Sequence, residues 1–136
     1  MLQVFVYGTL KPGEPYHDSY CGAAVLEAIA AITPGQLYHL PLGYPAMTVG
    51  AGWVSGVLLS LAQPEILQRL DQLEDFHSDR PPDKNEYQRL WRPVFAPDLT
   101  PLGDAWMYVM TAQKVSALSG KHLPAGVWSA ADCQAV

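Results

Sequence analysis

Val4-Phe5-Val6-Tyr7-Gly8-Thr9-Leu10-Lys11-Pro12-Gly13 is an apolar run of strand-forming residues that breaks, close to the N-terminus, into a turn. The strand residues end at Tyr7. Gly8 permits positive φ and close approach by another group, Pro12 fixes φ and removes a donor, and Gly13 frees the backbone again. A loop of this kind, with amide N–H groups at a strand end and a tyrosine hydroxyl at its mouth, is a cradle for a carboxylate or carbonyl oxygen. Taken alone, the pattern is a turn and nothing more specific.

Downstream, residues 14–22 suit a short helical or irregular segment. Residues 23–32 fit helix or strand, because alanine favours helix while Val25, Ile29 and Ile32 also suit a strand. Residues 35–40 read as a strand closed by Pro41 and the Gly43-Tyr44-Pro45 turn. Residues 46–49 and 53–61 flank Gly50-Ala51-Gly52 and read as a hairpin, with Gly56 marking a bulge or a close approach to the backbone. Residues 64 to about 75 form the one clear helix, with Pro64 and Glu65 in its first turn and an apolar stripe of Ile66, Leu67, Leu70 and Leu73. A polar loop at 77–85 contains Pro81-Pro82. Two more strands, 87–95 and 105–110, are separated by a turn region at 97–103. From Thr111 the chain is less regular, with residues 123–128 as a packing segment. Five or six strands and one good helix between the fourth and fifth predict an α+β domain with a largely antiparallel, curved sheet.

The totals set bounds on partners. A chain of 136 residues with 49% hydrophobic and 15% charged residues fits one domain, 1–136, with a real core. Net charge is −5 and the eight Lys and Arg are scattered singly. No electrostatic footprint for nucleic acid or an anionic membrane surface results, and small neutral or cationic partners fit better. With no basic and apolar leader and no stretch of membrane-crossing length, the chain reads as cytoplasmic. Cys21 and Cys133 read as packed thiols. His17, His39, His77 and His122 show no ligand spacing, so no metal or other cofactor is expected. No serine or cysteine stands out as a nucleophile.

The most informative position is Glu74. On a helical wheel it falls between Leu67 and Leu70, so the carboxylate shares the apolar stripe. Partial desolvation and the helix C-terminal dipole both raise its pKa toward the range of a general base. The other reading is a helix-end glutamate that frays into water or pairs with Arg69 or Arg89. Tyr7, Tyr87 and Tyr108 lie in strand runs that suit either half-buried packing or a hydroxyl aimed into a cavity. Asp71 reads as solvated or helix-supporting.

Tyr7-Gly8-Thr9-Leu10, Gly35-Gln36-Leu37-Tyr38, Gly43-Tyr44-Pro45-Ala46, Gly56-Val57-Leu58, Leu70-Asp71-Gln72-Leu73-Glu74 and Tyr87-Gln88-Arg89, in that order, resemble the γ-glutamylcyclotransferase-like superfamily from residue 4 to about residue 110, in particular its γ-glutamylamine cyclotransferase, avirulence-induced-gene-like branch. The resemblance implies a small mixed, mostly antiparallel β-barrel with flanking helices and a cavity lined by the YGTL loop. It implies a small-molecule γ-glutamyl substrate, a γ-glutamyl amine or peptide, whose α-amine attacks its own γ-carbonyl to give 5-oxoproline and a free amine. Glu74 is then the catalytic acid/base. Tyr7, Gly8, Thr9 and Leu10 bind the glutamyl carboxylate and carbonyl, and Tyr87 and Tyr108 line the pocket. Ring closure within one substrate needs no enzyme nucleophile and no cofactor. One departure is that Asp75 and Phe76 follow the Glu where the family often has Gly and an aromatic residue; a second carboxylate there either raises the pKa of Glu74 further or faces water. The competing reading is a non-catalytic small-molecule binding module of the same fold. The leaving amine, the oligomeric state and whether the 77–85 loop is a lid are left open by the sequence.

Overall fold

The first strand is apolar on both faces because both faces are covered. In the computed structural model, which describes residues 2–130, Leu2, Val4 and Val6 of β1 (Leu2–Val6) pack in one core with Ile66 and Leu70 of the helix α2 (Ile66–Leu73). Phe5 and Tyr7 point the other way, into a second core with Leu37, Met47, Val54, Leu58 and Met107. A strand buried on both sides reads as a near-continuous hydrophobic run rather than an alternating one.

Around it the order is α1 (His17–Tyr20), β2 (Val25–His39), β3 (Pro45–Leu61), α2, β4 (Gln88–Phe95), β5 (Pro101–Val109), α3 (Ala112–Ala117) and β6 (Lys121–His122). The sheet runs β3-β1-β5-β4-β2-β6, and β2 also pairs with β3, so the hydrogen bonds return to their starting strand in a ring. Only β1 and β5 are parallel, meeting at Val4 and Trp106. The expected mixed α+β class with a mostly antiparallel sheet holds.

Several local expectations change. Residues 25–32 and 35–39 belong to one strand, β2, which a 3-10 turn (Gly22–Ala24) precedes, because β3 pairs with it along nearly its whole length. The Gly50-Ala51-Gly52 segment is not a hairpin turn. Gly50 (φ 154°) and Gly52 (φ 96°) bend β3 without reversing it: Trp53 and Val54 pair with Pro34 and Thr33, and Thr48 pairs with Gln36. The reversal lies instead at 40–44, where Gly43 N–H donates to Leu40 O. The clear helix therefore follows the third strand, not the fourth, and is shorter than expected, with Glu74 immediately after its last residue. β5 begins at Pro101, inside the expected turn region. Beyond Thr111 the chain forms α3, capped by the Thr111 hydroxyl, which accepts from Lys114 N–H at 3.1 Å.

Other expectations hold. Gly56 is a close approach, since a Cβ there would lie 2.3 Å from Val6 O. Trp128 in the 123–128 segment is buried, and so is Cys21. Cys133 lies outside the described residues. Among the described residues no helix is long and apolar enough to cross a membrane.

Candidate active site

A cavity of about 200 Å³ opens at the C-terminal end of β1. One wall is the loop Tyr7-Gly8-Thr9-Leu10; Glu74, Glu86, Tyr44, Tyr87 and Tyr108 stand around it. All seven residues singled out from the sequence thus border a single space.

The loop is shaped by close packing. A Cβ on Gly8 would lie 2.5 Å from Pro45 Cγ, so only glycine lets the loop lie this close to the start of β3. Gly8 has no positive φ; that conformation belongs to Gly13, at 87°. The carbonyls of Gly8, Thr9 and Leu10 are occupied: Gly8 O accepts from Lys11 N–H (3.0 Å), Thr9 O from Tyr16 N–H (2.9 Å) and Leu10 O from His17 Nδ1–H (2.8 Å). The amide N–H groups of Gly8, Thr9 and Leu10 have no acceptor among the described residues. A turn with its acceptors used and its donors unpaired is suited to an anion or a carbonyl oxygen.

The three tyrosines spend their protons on the protein. Tyr7 OH donates to Tyr108 O (2.6 Å) and accepts from Met47 N–H (3.2 Å). Tyr87 OH donates to Pro45 O (2.5 Å), and Tyr108 OH to Asp71 Oδ1 (2.7 Å). Burial is the main reason all three hydroxyls are pushed well above the usual tyrosine range. They remain neutral, and they hold β1, β3, β5 and α2 in register around the cavity. Asp71 is accordingly neither solvated nor merely helix-supporting, for its other oxygen accepts from Arg89 at 2.6 Å.

Glu74 lies at the C-terminal end of α2, its N–H bonded to Leu70 O at 2.9 Å. It pairs with neither Arg69, which donates to Ser19 O, nor Arg89. Its carboxyl is partly buried and open toward the cavity. Burial, and after it the negative charge of Glu86, push it up from 4.5 to about 8. The neighbouring like charge is therefore Glu86 rather than Asp75. Asp75 turns away: at φ 54° it takes the left-handed conformation that ends many helices, where glycine fits best, and it binds Arg80 at 3.0 Å.

Glu86, missed in the sequence, accepts at Oε1 from Tyr44 OH. It belongs to a segment closed on itself. The buried Asn85 accepts through Oδ1 from His77 N–H (3.0 Å) and Arg80 Nε–H (2.8 Å), and Arg80 also donates to Asp75 O (2.7 Å). Residues 75–86 are thus buckled in place beside the cavity. The one available signal was adjacency: Glu86 directly precedes Tyr87, and Tyr44 lies within a motif already noted. Among the described residues no group of three or more His, Cys, Asp or Glu is placed to hold a metal ion.

A carboxyl of raised pKa, with a second carboxylate beside it, shares the cavity with a row of amides that have no acceptor among the described residues. The family described as "Gamma-glutamyl cyclotransferase, AIG2-like" matches residues 4–130, and the chain belongs to that family of enzymes. It is 34% identical over 110 residues to the "Gamma-L-glutamyl-butirosin B gamma-glutamyl cyclotransferase" of Niallia circulans, an alignment covering 80% of this chain and 67% of that protein. Among solved structures it resembles the protein ytfP of Escherichia coli (30% identity, TM-score 0.59, covering 93% of this chain and 96% of that one). It also resembles an aig2-like protein of Mus musculus (26% identity, TM-score 0.58, covering 81% and 77%).

Proposed function

We propose that the protein converts a γ-glutamyl amine or γ-glutamyl peptide to 5-oxoproline and a free amine, with Glu74 as the acid/base. The observation that carries this reading is the placement of one carboxyl of raised pKa in the same cavity as the unpaired Gly8-Thr9-Leu10 amides. The amides take the glutamyl carboxylate and the γ-carbonyl oxygen, whose charge grows as the tetrahedral intermediate forms. Glu74 removes a proton from the α-ammonium, and the freed amine attacks the γ-carbonyl carbon. As the new C–N bond closes the five-membered ring, Glu74 returns that proton to the leaving nitrogen and the old C–N bond breaks. The second proton, lost by the ring nitrogen as the lactam forms, ends on the amine product, which departs as an ammonium. No water enters, and atoms balance between substrate and the two products.

A base with a pKa near 8 is well matched to this task, because it is basic enough to compete for an ammonium proton and acidic enough to give it back near neutrality. Tyr7, Tyr87 and Tyr108 act as a neutral wall, since their protons are already committed. The test is release of 5-oxoproline from γ-glutamyl dipeptides and γ-glutamyl alkylamines by the wild type and Glu74→Gln. The variant is expected to lose activity by roughly 10²–10⁴-fold, the usual worth of a positioned acid/base. Turnover that persists unchanged in Glu74→Gln would remove the assigned role.

A further inference from the structure

Beside the cavity lies a larger groove of about 480 Å³, formed by the segment leading into β4 and by α3, and lined in part by Pro82, Asn85, Gln88, Thr111 and Gln113. Glu86 is the one residue that borders both spaces. We propose that this groove seats the leaving amine and that Glu86 selects leaving groups carrying a second ammonium, an inference that rests on the cyclotransferase reading above.

Ring closure brings the α-nitrogen onto the γ-carbon, so the scissile nitrogen must also lie within reach of Glu74. Glu86 borders both the small cavity and the groove, so a group carried on that nitrogen and directed past Glu86 would meet the groove. Among the described residues only one oxygen of Glu86 is taken, by Tyr44 OH. The described ion pairs involve Asp71 and Asp75 and neither cavity glutamate, so among the described residues no protein cation neutralises Glu86. A partly enclosed carboxylate with a vacant oxygen attracts an ammonium, and the chain's net charge of −5 acts in the same direction. The cation lining the groove, Lys114, directs its Nζ to Asn85 O.

The experiment compares three γ-glutamyl amides of similar length: those of 1,4-diaminobutane, pentylamine and 4-aminobutanoate. In the wild type, kcat/KM is expected to fall in that order, the diamine conjugate exceeding the neutral one by about tenfold, as for a charge-assisted contact that is partly desolvated. The ratio should shrink as salt is raised. Glu86→Gln should bring the ratio of diamine to pentylamine conjugate close to one. This ratio is insensitive to any change in Glu74, which acts on both substrates alike. Gln113→Lys, on an exposed residue of the groove, should lower the ratio severalfold and serves if Glu86→Gln does not fold. Release of 5-oxoproline from all three conjugates with a flat ratio, or a ratio indifferent to both substitutions, overturns the inference and leaves the cyclotransferase reading standing. No 5-oxoproline from any of them overturns both.

Discussion

The backbone N–H of Glu86 donates to the carbonyl of Asp75 at 3.2 Å, so the residue after Glu74 is tied to the residue carrying the cavity's second carboxylate. The chain thereby holds two negative groups close together that would separate if free to do so. Burial first, and this neighbouring charge after it, push the Glu74 carboxyl up to about 8.

Glu86→Gln removes the second cause of that shift and leaves the first, burial. The acid limb of kcat/KM against pH, expected near 8 in the wild type, should move to lower pH but stay above the ordinary carboxylate range, while activity still rises with pH below the new limb. A limb that stays in place would mean burial alone sets the proton affinity.

Stability should depend on pH with a definite sign. Glu74 titrates at about 4.5 when unfolded and about 8 when folded, so between those values the folded chain holds a proton that the unfolded chain has released. Its contribution is fully present below about pH 4.5 and is lost as pH rises through about 8, a change on the order of a few kcal/mol. Glu74→Gln, which cannot ionise, should flatten that dependence and unfold at a higher temperature than the wild type at pH 8.5. Superimposable curves of Tm against pH would place the carboxyl in solvent.

Gly8→Ala drives a methyl group into Pro45 and must push the loop away from β3. The loop can yield at modest cost in stability, but under the proposed function its amides would then miss the substrate oxygens, and kcat/KM should fall by about 10- to 100-fold, in the range seen when bound groups are displaced by about 1 Å. Steady-state kinetics beside a melting curve will separate the two effects.

Tyr7→Phe deletes a hydroxyl that both donates to Tyr108 O and accepts from Met47 N–H, taking a partner from two buried backbone groups. The expected loss is about 1–3 kcal/mol in denaturant unfolding, with little change in m-value.

Much of this site was legible before the fold was known, for reasons that differ from residue to residue. Glu74 was visible because a charged residue on an apolar helical stripe contradicts the pattern around it. The Gly8 loop was visible because glycine and proline ended a strand abruptly. Glu86 had no such contrast. It lies in a polar loop, and only the buckle around Asn85 brings it to the cavity, through contacts no local periodicity encodes. The bend in β3 was misread for a related reason: Gly50 and Gly52 signal freedom of the backbone, while the direction the chain takes there is decided by pairing with β2 on both sides of the bend. Asp71 reads from the sequence as solvated or helix-supporting because Tyr108 and Arg89, which bind its two oxygens, arrive from later strands.

The hydrogen bond from Tyr7 to Tyr108 spans 101 positions of sequence. Closing so long a loop is entropically costly and slow relative to forming the adjacent β2–β3 pair, whose partners are near neighbours along the chain. The wall that carries the Gly8-Thr9-Leu10 amides is therefore among the last parts to be locked during folding. On refolding from denaturant, strand signal should return before catalytic competence, with the interval between them set by the docking of the first strand against the fifth.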